Sequence, residues 1–574
     1  MITNRLSRFS LSSRTREILL VLLILLTNLI LISPTLMPDF AAINPHDEAK
    51  YIESGWYLLH GQVRDLAWAP LVSFLYAPIH LLVGNSPDWF LLEAWIGRFV
   101  LTVAISLSLL HLARQLMPHT HPAVIAGILL GSTFIFPILE NQSDALFLVF
   151  SLLGLARLLR FNRERQLKDA ALGSLFTGLS MLCRVEAVLL VGVMAVLSLW
   201  IGRKHFKFIK LLAAGTLPAV AVFAAYLLLS LAVMGHINLG VGGKSYDSFE
   251  WNQAVLTGGD LEKAYAESRR LFGTAQENNG SVLRAILRNP PAFAERIWAN
   301  AKNLPDNYLA IFGKTRGFAL AFFAALGVYA LIRRRHWSIL LVLLCWSLPP
   351  LVSLGFLTRH LIPQDSFLPV ILAAIGLSWV FSAETRAGER LGVTLLAFAL
   401  ALYSLLDAKP GFLMAALLIL VVFSATWLLR PRLLAGQYPS LAPLLMMLSV
   451  GIILYGQYSF PNYPQLGKTE PEQAIHYLQE AVPPFGNILT PRPFIGIAAR
   501  LNGLETGIAP GDLTTPEQLQ QWMWENNIHA VYVEDRYGVR TDISALLAAG
   551  AGSSFEVGYL SESGAVRVYL PVEP

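Results

Sequence analysis

Glu17-Ile18-Leu19-Leu20-Val21-Leu22-Leu23-Ile24-Leu25-Leu26-Thr27-Asn28-Leu29-Ile30-Leu31-Ile32 opens the chain's apolar pattern. After Glu17 it holds no charged side chain. A run of this length reads as a membrane-spanning helix. It is too long for the core of a signal peptide, and Ser33-Pro34-Thr35 is a poor cleavage site, so a retained first helix is expected. Similar runs recur to residue 459, in a 574-residue chain that is 55% hydrophobic, only 14% charged, and has a mean hydropathy of +0.54. A soluble chain would carry nearer a quarter charged residues. Continuous runs, rather than alternating ten-residue segments, exclude a β-barrel. The expected class is a polytopic α-helical membrane protein.

About thirteen spans are predicted, near 17–37, 91–112, 121–139, 144–160, 168–183, 186–202, 208–234, 316–332, 337–357, 364–381, 391–406, 411–429 and 441–459. Charge tests the count. With the N-terminus in the cytoplasm, the inside loops collect clusters such as Arg157, Arg160, Arg163, Arg165 and Lys168, then Arg203, Lys204, Lys207 and Lys210, then Arg333, Arg334 and Arg335. The short outside loops hold Arg184, Arg359 and Lys409. That asymmetry follows the positive-inside rule. It predicts an inner or plasma membrane location, with the C-terminus outside the cytoplasm.

Two domains are expected: a membrane domain over 1–460, including outer loops 38–90 and 235–315, and an extracytoplasmic α/β domain over 468–574. In loop 38–90, the stretch Leu66 to Val83 is broken by Pro70 and Pro78 and reads as interfacial helix, with Trp56, Trp68 and Trp89 at headgroup depth. Loop 235–315 reads as polar and Gly/Asn-rich, turning helical from Ser281. In the tail, helix is expected over Glu472–Glu480, and strand at Asn487–Leu489, Ile528–Val533 and Ala565–Leu570. Thr515-Pro516-Glu517-Gln518 carries a capping box with Pro at N1. The tail has 6 Lys/Arg against 13 Asp/Glu. An acidic outer domain argues against a nucleic-acid partner. Gly240-Val241-Gly242-Gly243-Lys244-Ser245 ends like a phosphate-binding loop, but Asn238 stands where the pattern needs glycine and no buried strand precedes it. Cys183 and Cys345 show no metal-ligand spacing.

The chemistry-bearing residues gather in the outer loops. Asn44-Pro45-His46-Asp47-Glu48-Ala49-Lys50-Tyr51 sets two adjacent acids among His46, Lys50 and Tyr51. Asp144 opens a span, where an acid is costly unless paired or functional, or else serves as a helix cap. Arg184, in Cys183-Arg184-Val185-Glu186, and Arg359-His360 are outward cations. Glu186 is a local partner for Arg184. Lys50, Arg184 and Arg359 together would suit a phosphate, which Arg holds by paired hydrogen bonds and Lys as a point charge. The outer surface has no pool of nucleotide-activated substrates, so a transferase there draws on a lipid-borne donor. A polyprenyl-phosphate sugar fits: its phosphate leaves readily when cations hold it, and a carboxylate base takes the acceptor's proton.

These motifs resemble the GT-C superfamily of membrane glycosyltransferases, in the branch of protein O-mannosyltransferases and the aminoarabinose transferases of lipid A (glycosyltransferase families 39 and 83). The likeness rests on Asp47-Glu48-Ala49-Lys50-Tyr51, Trp95-Ile96-Gly97-Arg98-Phe99, Asp144-Ala145-Leu146-Phe147, Cys183-Arg184-Val185-Glu186 and Thr358-Arg359-His360-Leu361-Ile362-Pro363, and covers nearly the whole chain. It implies an inverting transferase acting on a lipid, glycan or protein hydroxyl. Asp47 would be the base or would orient the acceptor, Asp144 would be the second site carboxylate, and Lys50 would contact the donor phosphate. Glu48 would bind a metal, support Asp47 or face water. Some relatives bind a divalent cation through the acidic pair and others need none. One departure stands out: aminoarabinose transferases tend to carry Lys-Pro in the interfacial helices, and here Ala69 precedes Pro70. The competing classes are a transporter or flippase of a lipid-linked substrate, which would show ionisable residues at mid-membrane, and a non-catalytic membrane assembly protein.

Overall fold

A computed structural model describes residues 22, 36–40, 42–44, 47–64, 66–117, 139, 141–237, 243–312, 314–347, 355, 367–380, 466–535 and 540–572. Among these, three helices are long and apolar enough to cross a membrane: Trp89–Leu116, Val185–Gly202 and Phe208–Met234. They coincide with predicted spans. The spans predicted at 17–37, 121–139, 391–406, 411–429 and 441–459 lie, but for a few residues, outside the described residues. The remaining five fall on Gln142–Glu164, Leu167–Met181, Lys314–Arg333, Trp337–Trp346 and Phe367–Val380, which are shorter or carry more charge than the three above.

Gln142–Glu164 and Leu167–Met181 form a helical hairpin. Its closed end is held by Asp169, fully buried, with Arg157 at 3.2 Å and Arg160 at 3.6 Å. Arg165 stands between the helices in the left-handed region, φ 54°, and its guanidinium caps Ile201 O at 2.7 Å. Phe208–Met234 packs against this hairpin. Pro218 interrupts its hydrogen-bond ladder, and the neighbouring Ala219 N–H donates to Ser174 Oγ at 3.2 Å. Gly178 lets the two backbones close, since a side chain there would collide with Ala219. The starts of Trp89–Leu116, Gln142–Glu164 and Val185–Gly202 and the end of Leu167–Met181 therefore share one end of the bundle. Residues 36–64 and the C-terminal domain sit at that same end.

Loop 38–90 is helical, as its apolar content predicts: Glu48–Ile52, Ser54–Leu59 and Pro70–Val83. Ala69 takes φ 51°, a region L side chains rarely adopt. It turns the chain sharply from the Leu66–Trp68 turn into the helix that Pro70 opens. The first-turn N–H of Leu71, which has no partner within its own helix, reaches Leu182 O at 3.3 Å. That bond ties this helix to the loop carrying Arg184. Trp89 faces protein rather than lipid. It is buried, and its indole donates to Ala498 O of the C-terminal domain at 3.0 Å. Loop 235–315 is more helical than its Gly and Asn content suggested, with helices Gly243–Thr257 and Leu261–Phe272 ahead of Val282–Arg288 and Pro290–Phe312. It has a core of its own in Tyr246, Phe249, Phe272 and Ala285. Buried Arg296 lies 4.4 Å over the Phe249 ring, and burial lowers its pKa to about 10.

The C-terminal domain is a five-stranded mixed sheet in the order β2-β1-β3-β5-β4. Its strands are β1 (Asn487–Thr490), β2 (Asn502–Glu505), β3 (Ile528–Glu534), β4 (Phe555–Leu560) and β5 (Val566–Pro571). β1 runs parallel to β2 and β3, and β5 is antiparallel to β3 and β4. Sequence pattern marked β1, β3 and β5. β2 and β4 escaped it because they are half-exposed edge strands without a long apolar run. Thr515 caps Pro516–Glu525 with a full capping box, its hydroxyl accepting from Gln518 N at 3.3 Å. Thr515→Ala is expected to destabilise this domain by about 1 kcal/mol. The check is faster amide hydrogen exchange over 516–525 with no change in the Trp89–Leu116 helix.

Candidate functional site

The acidic stretch is held by its own backbone before any side chain acts. Ala49 N–H reaches Asn44 O at 3.1 Å, and Asp47 N–H reaches Asn44 Oδ1 at 3.3 Å. This turn starts the short Glu48–Ile52 helix with Asp47 at its N-cap position. Helix geometry then sends adjacent residues to different faces. Asp47 is half-buried, Glu48 and Tyr51 point inward, and Lys50 points to solvent.

Glu48 is 0% exposed. Arg98 forks onto it from the Trp89–Leu116 helix, Nε to Oε1 at 2.7 Å and Nη2 to Oε2 at 2.6 Å. Gln142 Nε2 donates to Oε1 at 2.9 Å, and Asn44 N–H approaches Oε2 at 3.4 Å. So placed, Glu48 does not face water, and both its oxygens are already taken. A divalent cation would have to displace a bidentate guanidinium to reach it. Among the described residues no group of three or more His, Cys, Asp or Glu side chains could hold a metal ion.

Tyr51 points from the same helix to the start of Gln142–Glu164, its hydroxyl donating to Ser143 Oγ at 3.0 Å. Ser143 in turn donates to Asn141 Oδ1 at 2.8 Å. Burial, with the nearby Asp47 charge adding to it, holds the Tyr51 phenol well above its usual range. One residue on, Asp144 is buried and accepts from Arg184 Nη1 at 2.7 Å. Arg184 also reaches Glu186 at 3.2 Å. Burial works against the guanidinium charge, but Asp144 and Glu186 more than offset it and hold its pKa above the usual value. The cap reading of Asp144 is corrected: the N-cap position falls on Asn141, and Asp144 stands in the first turn of the helix, where it is ion-paired. Arg184 takes its local partner Glu186 and a second, more distant one.

Lys50 is exposed, with Nζ 4.8 Å from the centre of the Trp68 ring. Nearby Glu53, paired with Arg64 at 2.6 Å, has its carboxyl pKa raised by burial despite that partner. Asp47, Tyr51, Asp144 and Arg184 thus meet at one end of the bundle, with Lys50 at the rim. His46, Arg359 and His360 lie outside the described residues. Sequence reading quoted Arg98 only as part of the Trp95–Phe99 motif, without a role, and missed Gln142 and Ser143. Arg98 carried a usable signal, because a charged side chain within an apolar helix needs a partner. Gln142 and Ser143 carried none beyond their place beside Asp144.

The chain matches no family model, and no curated protein matches it in sequence. Its fold does match solved structures. ArnT from Cupriavidus metallidurans, in the apo state, aligns over 97% of each chain with a TM-score of 0.51 at 14% identity. The archaeal oligosaccharyltransferase AglB from Archaeoglobus fulgidus, in complex with an inhibitory peptide and a dolichol-phosphate, aligns over 98% of this chain and 75% of its own. Its TM-score is 0.49 at 12% identity. At 14% identity the likeness to ArnT is one of fold, and it spans the chain end to end. What the likeness shows is the architecture: a helical bundle with a small C-terminal sheet domain, folded like that of ArnT.

Proposed function

We propose that this protein is an inverting glycosyltransferase. It moves a sugar from a polyprenyl-phosphate-linked donor to a hydroxyl of a lipid, glycan or protein acceptor at the outer face of the membrane. The observation that carries this reading is the meeting of Asp47, Tyr51, Asp144 and Arg184 at one end of a GT-C bundle, with Lys50 beside them. The acceptor oxygen attacks the anomeric carbon as its proton passes to Asp47. The bond from that carbon to the phosphate oxygen breaks, and polyprenyl phosphate leaves with the electron pair. A single displacement by a positioned acceptor inverts the anomeric centre.

Three carboxylates compete for the role of base, and their surroundings separate them. Glu48 is locked to Arg98, and Asp144 is ion-paired to Arg184. Asp47 is the half-buried one of the three, at the start of its helix. Asp144 then fixes Arg184 and shapes the pocket beside Tyr51. Arg184 would reach a donor phosphate in competition with Asp144 and Glu186, whereas Lys50 is turned outward and reaches it directly. Arg359 and His360 are proposed as further phosphate contacts. A divalent cation, if one is used, would be held through Asp47 rather than Glu48.

The test is a transfer assay in proteoliposomes with a panel of radiolabelled polyprenyl-phosphate sugars and an envelope extract as acceptor. Expected are release of polyprenyl phosphate and a labelled product of inverted anomeric configuration. Movement of intact lipid-linked sugar across the bilayer, with no bond cleaved, would overturn the proposal in favour of a flippase.

A further inference from the structure

We infer that the C-terminal domain clamps the candidate catalytic segment, with Arg492 as the positioning residue. The inference rests on the glycosyl-transfer reading for its activity readout and on geometry for its substance. Arg492 follows β1 and is 1% exposed. It forms an ion pair with Glu534 at the end of β3, and Tyr532 donates to the same carboxylate at 2.8 Å. The guanidinium lies 5.1 Å from the centre of the Phe494 ring. Its second arm leaves the domain altogether: Nη1 donates to Phe40 O at 3.1 Å.

Phe40 lies seven residues before Asp47. Its ring is 3% exposed and stacks between the two parts of the protein, 6.0 Å from Phe90 of the Trp89–Leu116 helix and 6.3 Å from Phe494. Two residues earlier, Pro38 O accepts from Trp95 of that helix at 3.0 Å. Pro38 and Phe40, ahead of Asp47 in the chain, are thus pinned on one side by the bundle and on the other by the C-terminal domain. Past Asp47, Glu48 is pinned by Arg98. A domain that only displayed an acceptor would not need a buried cation to hold a backbone carbonyl of the membrane domain. Burying such a charge is costly unless it is paired and hydrogen-bonded. Here the second acceptor belongs to the loop that places the proposed base. Further contacts keep the domain seated: His476 to Asp88 at 2.8 Å, and Arg500 to Gly84 O at 2.8 Å.

Lysine at position 492 keeps a charge for Glu534 but cannot fork to Phe40 O as well. In the full chain in nanodiscs, Arg492→Lys is expected to speed amide exchange over 36–53 by roughly tenfold or more, leaving β3 protected. It is expected to lower kcat by roughly 10- to 100-fold, with donor and acceptor KM moving by no more than about twofold. Unchanged exchange over 36–53 would overturn the clamp. Should Arg492→Lys expose β3, Phe40→Leu provides the same test from the loop side. It removes the stack on Phe90 and Phe494 while the Arg492–Glu534 pair stays in place, and unchanged exchange over 36–53 would overturn the inference equally. Faster exchange in variants of a protein whose wild type transfers no sugar would keep the clamp and reject the glycosyltransferase. Wild-type transfer with unchanged exchange would reject the clamp alone.

Discussion

Asp47→Asn is expected to lower kcat for sugar transfer by roughly 10²–10⁴-fold, with the protein still folded and donor KM little changed. The asparagine fills the same space and keeps the N–H bond to Asn44 Oδ1. It cannot accept a proton. The neighbouring groups do not take its place. Asp144 is tied to Arg184, Glu48 to Arg98, and the Tyr51 phenol is held protonated by burial. Tyr51→Phe serves as the contrast. It deletes the 3.0 Å bond to Ser143 and is expected to cost far less, because that bond orients the pocket and carries no proton. Both variants are measured in proteoliposomes with one labelled donor, at saturating and limiting acceptor. Transfer by Asp47→Asn at the wild-type rate would remove Asp47 as the base.

What was legible in the sequence follows from what each signal depends on. The helical membrane class rests on summed apolarity, which no tertiary contact reverses. The capping box at Thr515 is local, and it appears in the structure where the four residues predict it. The junction of the C-terminal domain and the bundle is a different matter. Trp89 looked like an interfacial anchor because tryptophan is common at headgroup depth, and nothing nearby in the sequence reveals that Ala498 covers it. Arg492 and Phe40 stand 452 positions apart, so no pattern read along the chain connects them. The site divides in the same way. Asp47 and Asp144 could be picked out as acids at the edges of apolar runs. That Asp144 takes Arg184 while Glu48 takes Arg98 is decided by helix packing, since the partners stand 40 and 50 positions apart along the chain.

The Glu48–Arg98 pair is where this packing can be tested most sharply. Both side chains are essentially buried, at 0% and 2% exposure. Deleting one partner leaves the other charge without compensation, a loss of roughly 3–5 kcal/mol in buried pairs. Glu48→Leu and Arg98→Met are each expected to cost that much in detergent unfolding experiments, and to lose transfer activity with it. The double variant separates the two possible roles of Glu48. Two apolar side chains of similar volume restore packing without any buried charge, so most of the lost stability should return. If Glu48 only positions the turn that carries Asp47, kcat should partly return as well, because the Phe40 and Pro38 anchors remain. If Glu48 itself takes part in the reaction, the double variant would be stable and as inactive as Asp47→Asn. The geometry favours positioning, since a carboxylate already holding a forked guanidinium and an amide has little left to offer an acceptor hydroxyl.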